Sequence, residues 1–236
     1  MTDASQTGAG DCGCGPHSEA VEDYLKAIFH LSVGGATATT SSIADALGIA
    51  APSASAMVKR LAEGELVERG RTRGVTLTAH GHAHALRVVR RHRLLETYLA
   101  EKLDVPWDEV HAEAELLEHA LSERLEDRID AALGHPTHDP HGDPIPPRHG
   151  VHRERWGDAL DDADDGTRFR VERVSDRDSA ALRYLADLGI TPGTVLDVEQ
   201  RIPFGGPLWV TVAAHRHALG PGVTRLVHGT QVVPQR

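Results

Sequence analysis

The run TSSIADALGIAAPSASAMVKRLAEGELVER, residues 40–69, decides the fold of the first domain. Ile43, Ala44 and Leu47 recur at the spacing of a short amphipathic helix. GIAA then turns the chain. Pro52 suits the first turn of a following helix, where its missing N–H leaves no bond unmade. On that helix Ala54, Val58 and Leu61 share an inward face, leaving Ser53, Ser55, Ala56, Lys59 and Arg60 outside. Helix, tight turn and helix at this spacing predict a helix-turn-helix. LVERGRTRGVTLTAHG, residues 66–81, reads as a strand, a basic glycine-flanked turn and a return strand carrying Val75 and Leu77, which is a wing.

The charge pattern agrees with a nucleic-acid partner. The whole chain of 236 residues carries a formal charge of -10, but residues 18–93 hold ten basic side chains against seven acidic ones. The surplus falls on the second helix of the motif, the wing and the next helix, surfaces that would face phosphates. Pro52, Ser53 and Ser55 begin the recognition helix, where serine takes a base edge or a phosphate. Lys59, Arg60, Arg71 and Arg73 are the candidates for phosphate contacts. The partner expected is double-stranded DNA.

No apolar run approaches the roughly 20 residues of a membrane span, and the N-terminus has neither a basic start nor a hydrophobic stretch, so a cytoplasmic protein is expected. Cys12 and Cys14, one residue apart, are too close for an ordinary disulfide. Residues 1–17 read as a tail, 18–85 as the winged helix-turn-helix, 86–152 as a helical domain with a proline-rich loop, 153–167 as an acidic linker, and 168–236 as a small β-barrel with one helix between its early strands. The fold class expected is therefore a mainly α N-terminal half followed by a small β-barrel.

The chemistry sits in the helical domain. VHAEAELLEHAL, residues 110–121, begins a helix expected to run to about Leu133, and it carries His111, Glu115, Glu118 and His119 on one side. Upstream, His92 and Glu96 lie four apart on another helix, and two antiparallel helices could bring them to His111. Histidine–carboxylate sets of this kind suit a divalent first-row metal. The competing reading makes Glu115, Glu118 and His119 salt-bridge partners of Arg124, Arg128 or Lys102, and RRHRLLE an ordinary surface helix. His135, His138 and His141, with His149 and His152 beyond, crowd the proline-rich segment, but no carboxylate or cysteine set completes a standard site. His80, His82 and His84 read as helix-surface residues. The chain has neither the paired Glu-x-x-His of a diiron bundle nor the His-Glu-x-x-His of a zinc protease, so a metalloenzyme is the alternative from another class rather than the expectation.

EDYLKAI, the helix-turn-helix and wing, RRHRLLE, VHAEAELLEHALS and GHPTHDPHGDPIP together resemble the diphtheria-toxin-repressor family of metal-dependent transcriptional regulators, over about residues 18–233. The resemblance implies a homodimer with a winged-helix domain, a helical dimerisation domain and an SH3-like C-terminal domain. It implies a divalent corepressor and palindromic operators of metal-uptake genes. It places a principal metal site at Asp23, Glu115, Glu118 and His119, and an ancillary site at His92, Glu96 and His111 with help from the C-terminal domain. There Asp178 is the best match to a family glutamate, Asp176 is nearby, and Ala181 stands near the family's glutamine. Iron-type members have methionine and cysteine where Asp23 and Glu115 stand; manganese-type members have carboxylates. Lys26 replaces a further glutamate of the short manganese regulators. The resemblance thus implies Mn(II), with Fe(II) as the alternative and Co(II), Zn(II) or Cd(II) as substitutes.

Overall fold

The computed structural model describes residues 17–33, 36–70, 74–148, 152 and 154–232. The chain divides into two compact units, Met1–Ala85 and Leu86–Arg236.

The first unit opens with α1 (Glu19–Ser32), which buries Tyr24, Leu25, Ile28 and Phe29. Strand β1 (Ala38–Thr39) leads into α2 (Thr40–Leu47). Thr39 caps α2 by accepting from the backbone N–H of Ser42, while the Ser42 hydroxyl accepts from the N–H of Thr39, a reciprocal box that satisfies two end donors. The helix stops at Gly48, and α3 (Ala51–Glu63) follows with Pro52 in its first turn. As the sequence predicts, Ala54, Val58 and Leu61 are buried and Pro52, Ser53, Ser55, Lys59 and Arg60 are exposed. β2 (Val67–Arg69) and β3 (Gly74–Leu77) pair antiparallel as the wing, and β1 joins β3 on its other side. Arg71 and Arg73 lie outside the described residues, as do Cys12 and Cys14.

Helix α4 (Ala79–Leu103) carries the chain into the second unit, followed by α5 (Val110–Leu117) and α6 (Glu123–Ala132). Leu94, Leu95 and Leu99 of α4 bury with Val110, Ala114, Leu121, Ile129 and Ile145. The single helix expected over residues 110–133 is instead two. Ser122 takes an extended conformation and accepts from the N–H of Leu125, so it starts a new helix where continuous periodicity is expected.

Between α6 and β4 (Asp158–Ala159) the described residues form no helix or extended strand. The segment is nonetheless well tied. Asp139 Oδ1 accepts from the N–H groups of His141 and Asp143, both at 2.9 Å. Arg93 and Arg90 donate to the carbonyls of Pro144 and Pro146 at 2.7 and 2.8 Å. Gly142, at φ 90°, brings its backbone so close to β5 (Arg168–Val174) that a Cβ there would stand 1.9 Å from the Glu172 carbonyl oxygen.

The last part is an antiparallel sheet in the order β4-β9-β5-β6-β7-β8, with β6 Val195–Arg201, β7 Leu208–Val212, β8 His215–Leu219 and β9 Val227–Val232. Helix α7 (Ser179–Asp187) lies between β5 and β6, and the short α8 (Pro221–Thr224) precedes β9. Alternation along β5 and β7 turns Phe169, Val171, Leu208, Val210 and Val212 into one core with Leu182 and Leu185 of α7. The acidic stretch expected as a linker contributes β4 and the buried Leu160 and Ala163. Its Asp161 accepts from Arg201, Thr224 and Arg225, so the acidic residues serve the sheet. No described helix is long and apolar enough to cross a membrane.

Candidate metal centre

Helix α4 places His92 and Glu96 one turn apart and buries both. Val110 and Ala114 anchor α5 in the core, which turns His111 and Glu115 toward α4. His92 Nε2 stands 3.0 Å from Glu96 Oε1 and 3.1 Å from His111 Nδ1, and His111 Nδ1 stands 3.2 Å from Glu96 Oε1. Asp176 Oδ2, from the turn after β5, lies 3.2 Å from the same His111 nitrogen. The sequence-predicted trio of His92, Glu96 and His111 therefore meets, and its C-terminal neighbour is Asp176. Asp178 is engaged elsewhere: it caps α7, accepting from the N–H groups of Ala180 and Ala181. Sequence position alone favours Asp178, but the capping role decides which of the two faces His111.

A contribution that sequence reasoning missed comes from the proline-rich loop. His141 is fully buried, and its Nε2–H donates to the Trp107 carbonyl at 2.7 Å. That bond leaves Nδ1 turned inward, 3.8 Å from Glu96 Oε1, with Asp139 beside it. The run Asp-Pro-His-Gly-Asp, which sets His141 between two carboxylates in a turn, is the signal the sequence offers, but only the tertiary contact to Trp107 fixes the direction of the ring. Among the described residues His135 and His138 stay at the surface, and His149 lies outside them.

Glu118 and His119 follow the last turn of α5. Nδ1–H of His92 donates to Glu118 Oε2 at 2.5 Å, and Glu118 Oε1 is 3.5 Å from His119 Nε2. Glu115 Oε1 is 3.9 Å from His92 Nδ1 and 3.8 Å from His111 Nε2. Asp23 lies on α1, in the first unit.

The donor set fits a first-row divalent cation. Atoms about 2.1 Å from one ion and at right angles to one another stand about 3.0 Å apart, close to the 3.0, 3.1 and 3.2 Å edges here. His92 and His141 each give one ring N–H to a carboxylate or carbonyl, which turns the other nitrogen toward Glu96, where it offers a lone pair to a cation once any proton on it is displaced, the arrangement of ligating histidines. Glu96 Oε2 and His141 Nδ1 are buried without hydrogen bonds. The electrostatics demand positive charge. Burial alone raises the Glu96 carboxyl, yet His92, His111 and His141 hold it well below the carboxylate range. Burial opposes charge on His111 and His141 as well, but hydrogen bonds to Asp176 and Glu96 push His111 up to about 10, and Glu96 and Asp139 push His141 up to about 9. Burial and the neighbouring Glu96 and Asp143 carboxylates raise Asp139 well above its ordinary value.

The basic surplus read from the sequence is partly internal. Arg90 and Arg91 pair with Glu126, Arg90 also with Asp130, and the buried Arg93 with Asp143 and Glu154. These three do not face phosphates. Lys59 lies 3.7 Å from Glu63 along α3, both well exposed, a contact too solvated to hold the lysine back from another anion.

A winged helix-turn-helix, a helical unit holding a carboxylate–imidazole cluster and a small SH3-like sheet define the architecture of a winged-helix regulator. Residues 17–75 match the family described as iron dependent repressor, N-terminal DNA binding domain; residues 78–147 match its metal binding and dimerisation domain; residues 159–230 match the FeoA domain. The chain is 30% identical to the diphtheria toxin repressor of Corynebacterium efficiens over 190 residues, 76% of this chain and 83% of that protein. It is 39% identical to the iron-dependent repressor IdeR of Mycobacterium leprae over 128 residues, 54% of this chain, and so spans about half (56%) of that relative's length. A solved manganese-dependent transcriptional repressor in complex with manganese superposes with a TM-score of 0.83 at 41% identity, covering 90% of this chain and 100% of that one. The chain belongs to the diphtheria toxin repressor family. Its matched relatives are repressors, not enzymes.

Proposed function

We propose that the protein is a manganese(II)-activated transcriptional repressor that binds palindromic operators of metal-uptake genes as a homodimer. The observation that carries this reading is the donor set: imidazole nitrogens and carboxylate oxygens converge, and no sulfur stands among them. Mn(II) binds most weakly along the first-row series and gains least from soft ligands, so it loses least at an oxygen-rich site. The resemblance of the solved manganese-dependent repressor over 90% of the chain supports the same metal.

The ancillary ligands are proposed as His92, Glu96, His111 and Asp176, with His141 and Asp139 beside them. The principal ligands are proposed, on the family resemblance, as Glu115, Glu118 and His119 together with Asp23 of the DNA-binding unit. When bound, the cation supplies two positive charges and a coordination sphere that these carboxylates share. Glu118 holds His92 in one tautomer, and His92 in turn orients toward Glu96. Pro52, Ser53 and Ser55 present the start of α3 to base edges, with Lys59, Arg60, Arg71 and Arg73 on phosphates. Free energy of metal binding that favours the DNA-binding arrangement returns equally as tighter metal binding on DNA.

The second reading, an iron(II)-responsive regulator, is favoured by the 39% identity to the iron-dependent repressor. Operator binding followed by fluorescence anisotropy, anaerobically and at buffered free metal, separates the two. Mn(II) is expected to activate at lower free concentration than Fe(II), and Asp23→Met with Glu115→Cys to reverse that order. A wild type that answers Fe(II) and ignores Mn(II) would overturn the assignment.

A further inference from the structure

Two polar contacts run side by side between the start of α5 and the segment from the end of β5 through α7. His111 meets Asp176 at 3.2 Å. Three residues before His111, Asp108 meets Arg183 of α7, whose Nη1–H donates to Asp108 Oδ2 at 2.8 Å. The first contact joins two proposed ligands; the second joins none. Ion pairs between exposed groups contribute little, but the Asp108 side chain is only 7% exposed. A buried carboxylate stripped of its donor is costly, so the pair holds α7 against the turn before α5. Trp107, the next residue back, packs on the core of the sheet and accepts the His141 ring N–H at its carbonyl. Asp176 sits between two anchors. Upstream, the Val174 N–H donates to the His141 carbonyl at 2.9 Å and the Ser175 N–H to the Leu226 carbonyl at 2.8 Å. Downstream, Asp178 caps α7, and Leu182 and Leu185 bury one face of that helix, leaving Arg183 on the side that meets Asp108.

We propose that Arg183 and Asp108 are positioning residues for the ancillary centre: their ion pair is a metal-independent tie that holds Asp176 at His111. The proposal rests on the ancillary ligand set given above. A ligand brought by the C-terminal sheet is useful only if it stands at the right place before the cation arrives, because ordering it at the moment of binding would subtract from affinity. The His111–Asp176 contact cannot supply that order by itself, since a cation displaces the proton they share. The Arg183–Asp108 pair survives that exchange unchanged. It fixes α7, α7 fixes the turn that begins at its cap, and that turn carries Asp176.

The test uses the full chain carrying Asp23→Ala, which removes a proposed principal ligand so that calorimetry with Mn(II) alone reports the ancillary set. In this parent, Arg183→Met is expected to weaken the ion about tenfold or more, as loss of a partner behind a ligand does. Asp108→Asn should do the same. The double variant should lose no more than either single, because both remove one interaction, whereas two unrelated structural effects would multiply to about a hundredfold. Arg183→Lys keeps a cation beside Asp108 and should recover most of the affinity. Hydrogen exchange without metal reads the tie directly: peptides spanning 175–182 should exchange about fivefold faster or more in Arg183→Met, with those spanning 208–212 unchanged. Arg183→Met that binds Mn(II) as the parent does, exchange that is not accelerated, or losses that multiply in the double variant would each overturn the proposal. A parent that binds no Mn(II) while Arg183→Met still accelerates exchange would overturn the ligand set and leave the tie standing.

Discussion

Gly142→Ala asks whether the loop between α6 and β4 builds the metal centre or merely passes it. At φ 90° the alanine Cβ would stand 1.9 Å from the Glu172 carbonyl oxygen and 3.0 Å from the Arg173 Cα. Comfortable carbon contacts need about 3.5 Å, so the loop must retreat from β5 by about 1.5 Å or more. The left-handed conformation adds about 1–3 kcal/mol, and pressing against backbone that cannot rotate away adds about 1–3 kcal/mol. A total near 4 kcal/mol is expected. The retreat acts directly on the centre, because the His141 carbonyl accepts from the N–H of Val174 and its ring reaches from the Trp107 carbonyl toward Glu96. If half the strain is relieved only by drawing the loop out of its metal-binding position, ancillary affinity falls about tenfold to thirtyfold, at 1.4 kcal/mol per tenfold. Gly134→Ala is the matched control: φ is 75° and nothing lies within 4 Å, so only about 1–2 kcal/mol of conformational cost applies. Denaturant midpoints and Mn(II) calorimetry on both variants give the two readouts. The reasoning fails if Gly142→Ala destabilises no more than Gly134→Ala, or binds Mn(II) as wild type does.

Two further outcomes follow from the same geometry. Asp178→Ala should lower stability by about 1 kcal/mol through the lost cap of α7 and leave metal affinity unchanged, whereas Asp176→Asn should weaken the ancillary ion tenfold or more; calorimetry on the pair reverses the assignment if the effects swap. His111 and His141 are pushed up to about 10 and about 9, so in the metal-free chain both hold protons at pH 7 that a cation must displace. Affinity should therefore rise with pH from 7, by up to about a hundredfold per pH unit for two displaced protons, more gently between about 9 and 10, and flatten above about 10; flat affinity from pH 7 to 8.5, with no proton release in buffers of different ionisation enthalpy, contradicts it.

The helix-turn-helix was legible because its inward face is set by local periodicity: Ala54, Val58 and Leu61 are buried as their spacing demands. The meeting of His92, Glu96 and His111 was legible for the same reason, since i,i+4 spacing on two helices restricts where their side chains can point. What the sequence left open depends on partners remote in the chain. Continuous helical periodicity from 110 to 133 hides the break at Ser122, whose extended conformation is a single local decision. Arg90, Arg91 and Arg93 read as a basic patch until Glu126, Asp143 and Glu154, some 35 to 60 positions later, are seen to neutralise them. Asp176 and Asp178 are equivalent by composition, and only the helix start at Ser179 assigns one to capping and frees the other.

The second unit meets the demand of Glu96 for positive charge without any cation. Its Oε1 lies within 3.8 Å of His92, His111 and His141, and those imidazoles keep a fully buried carboxylate ionised. The loop that delivers His141 is held by contacts besides those to the proposed ligands: the backbone N–H groups on Asp139 Oδ1, Arg93 and Arg173 both on Asp143 at 3.3 and 2.6 Å, and the approach of Gly142 to β5. A cation would thus replace protons in a site already assembled, rather than assemble it. Metal binding is then coupled to proton release more than to folding of this unit, and one path out of the cluster runs from His92 Nδ1 to Glu118 at the end of α5. Glu118 closes the last turn of α5, its N–H on the Ala114 carbonyl at 2.9 Å, so helix and imidazole together hold its buried carboxylate. A change of charge in the ancillary cluster would reach the proposed principal site through that carboxylate, which His92 and the end of α5 share.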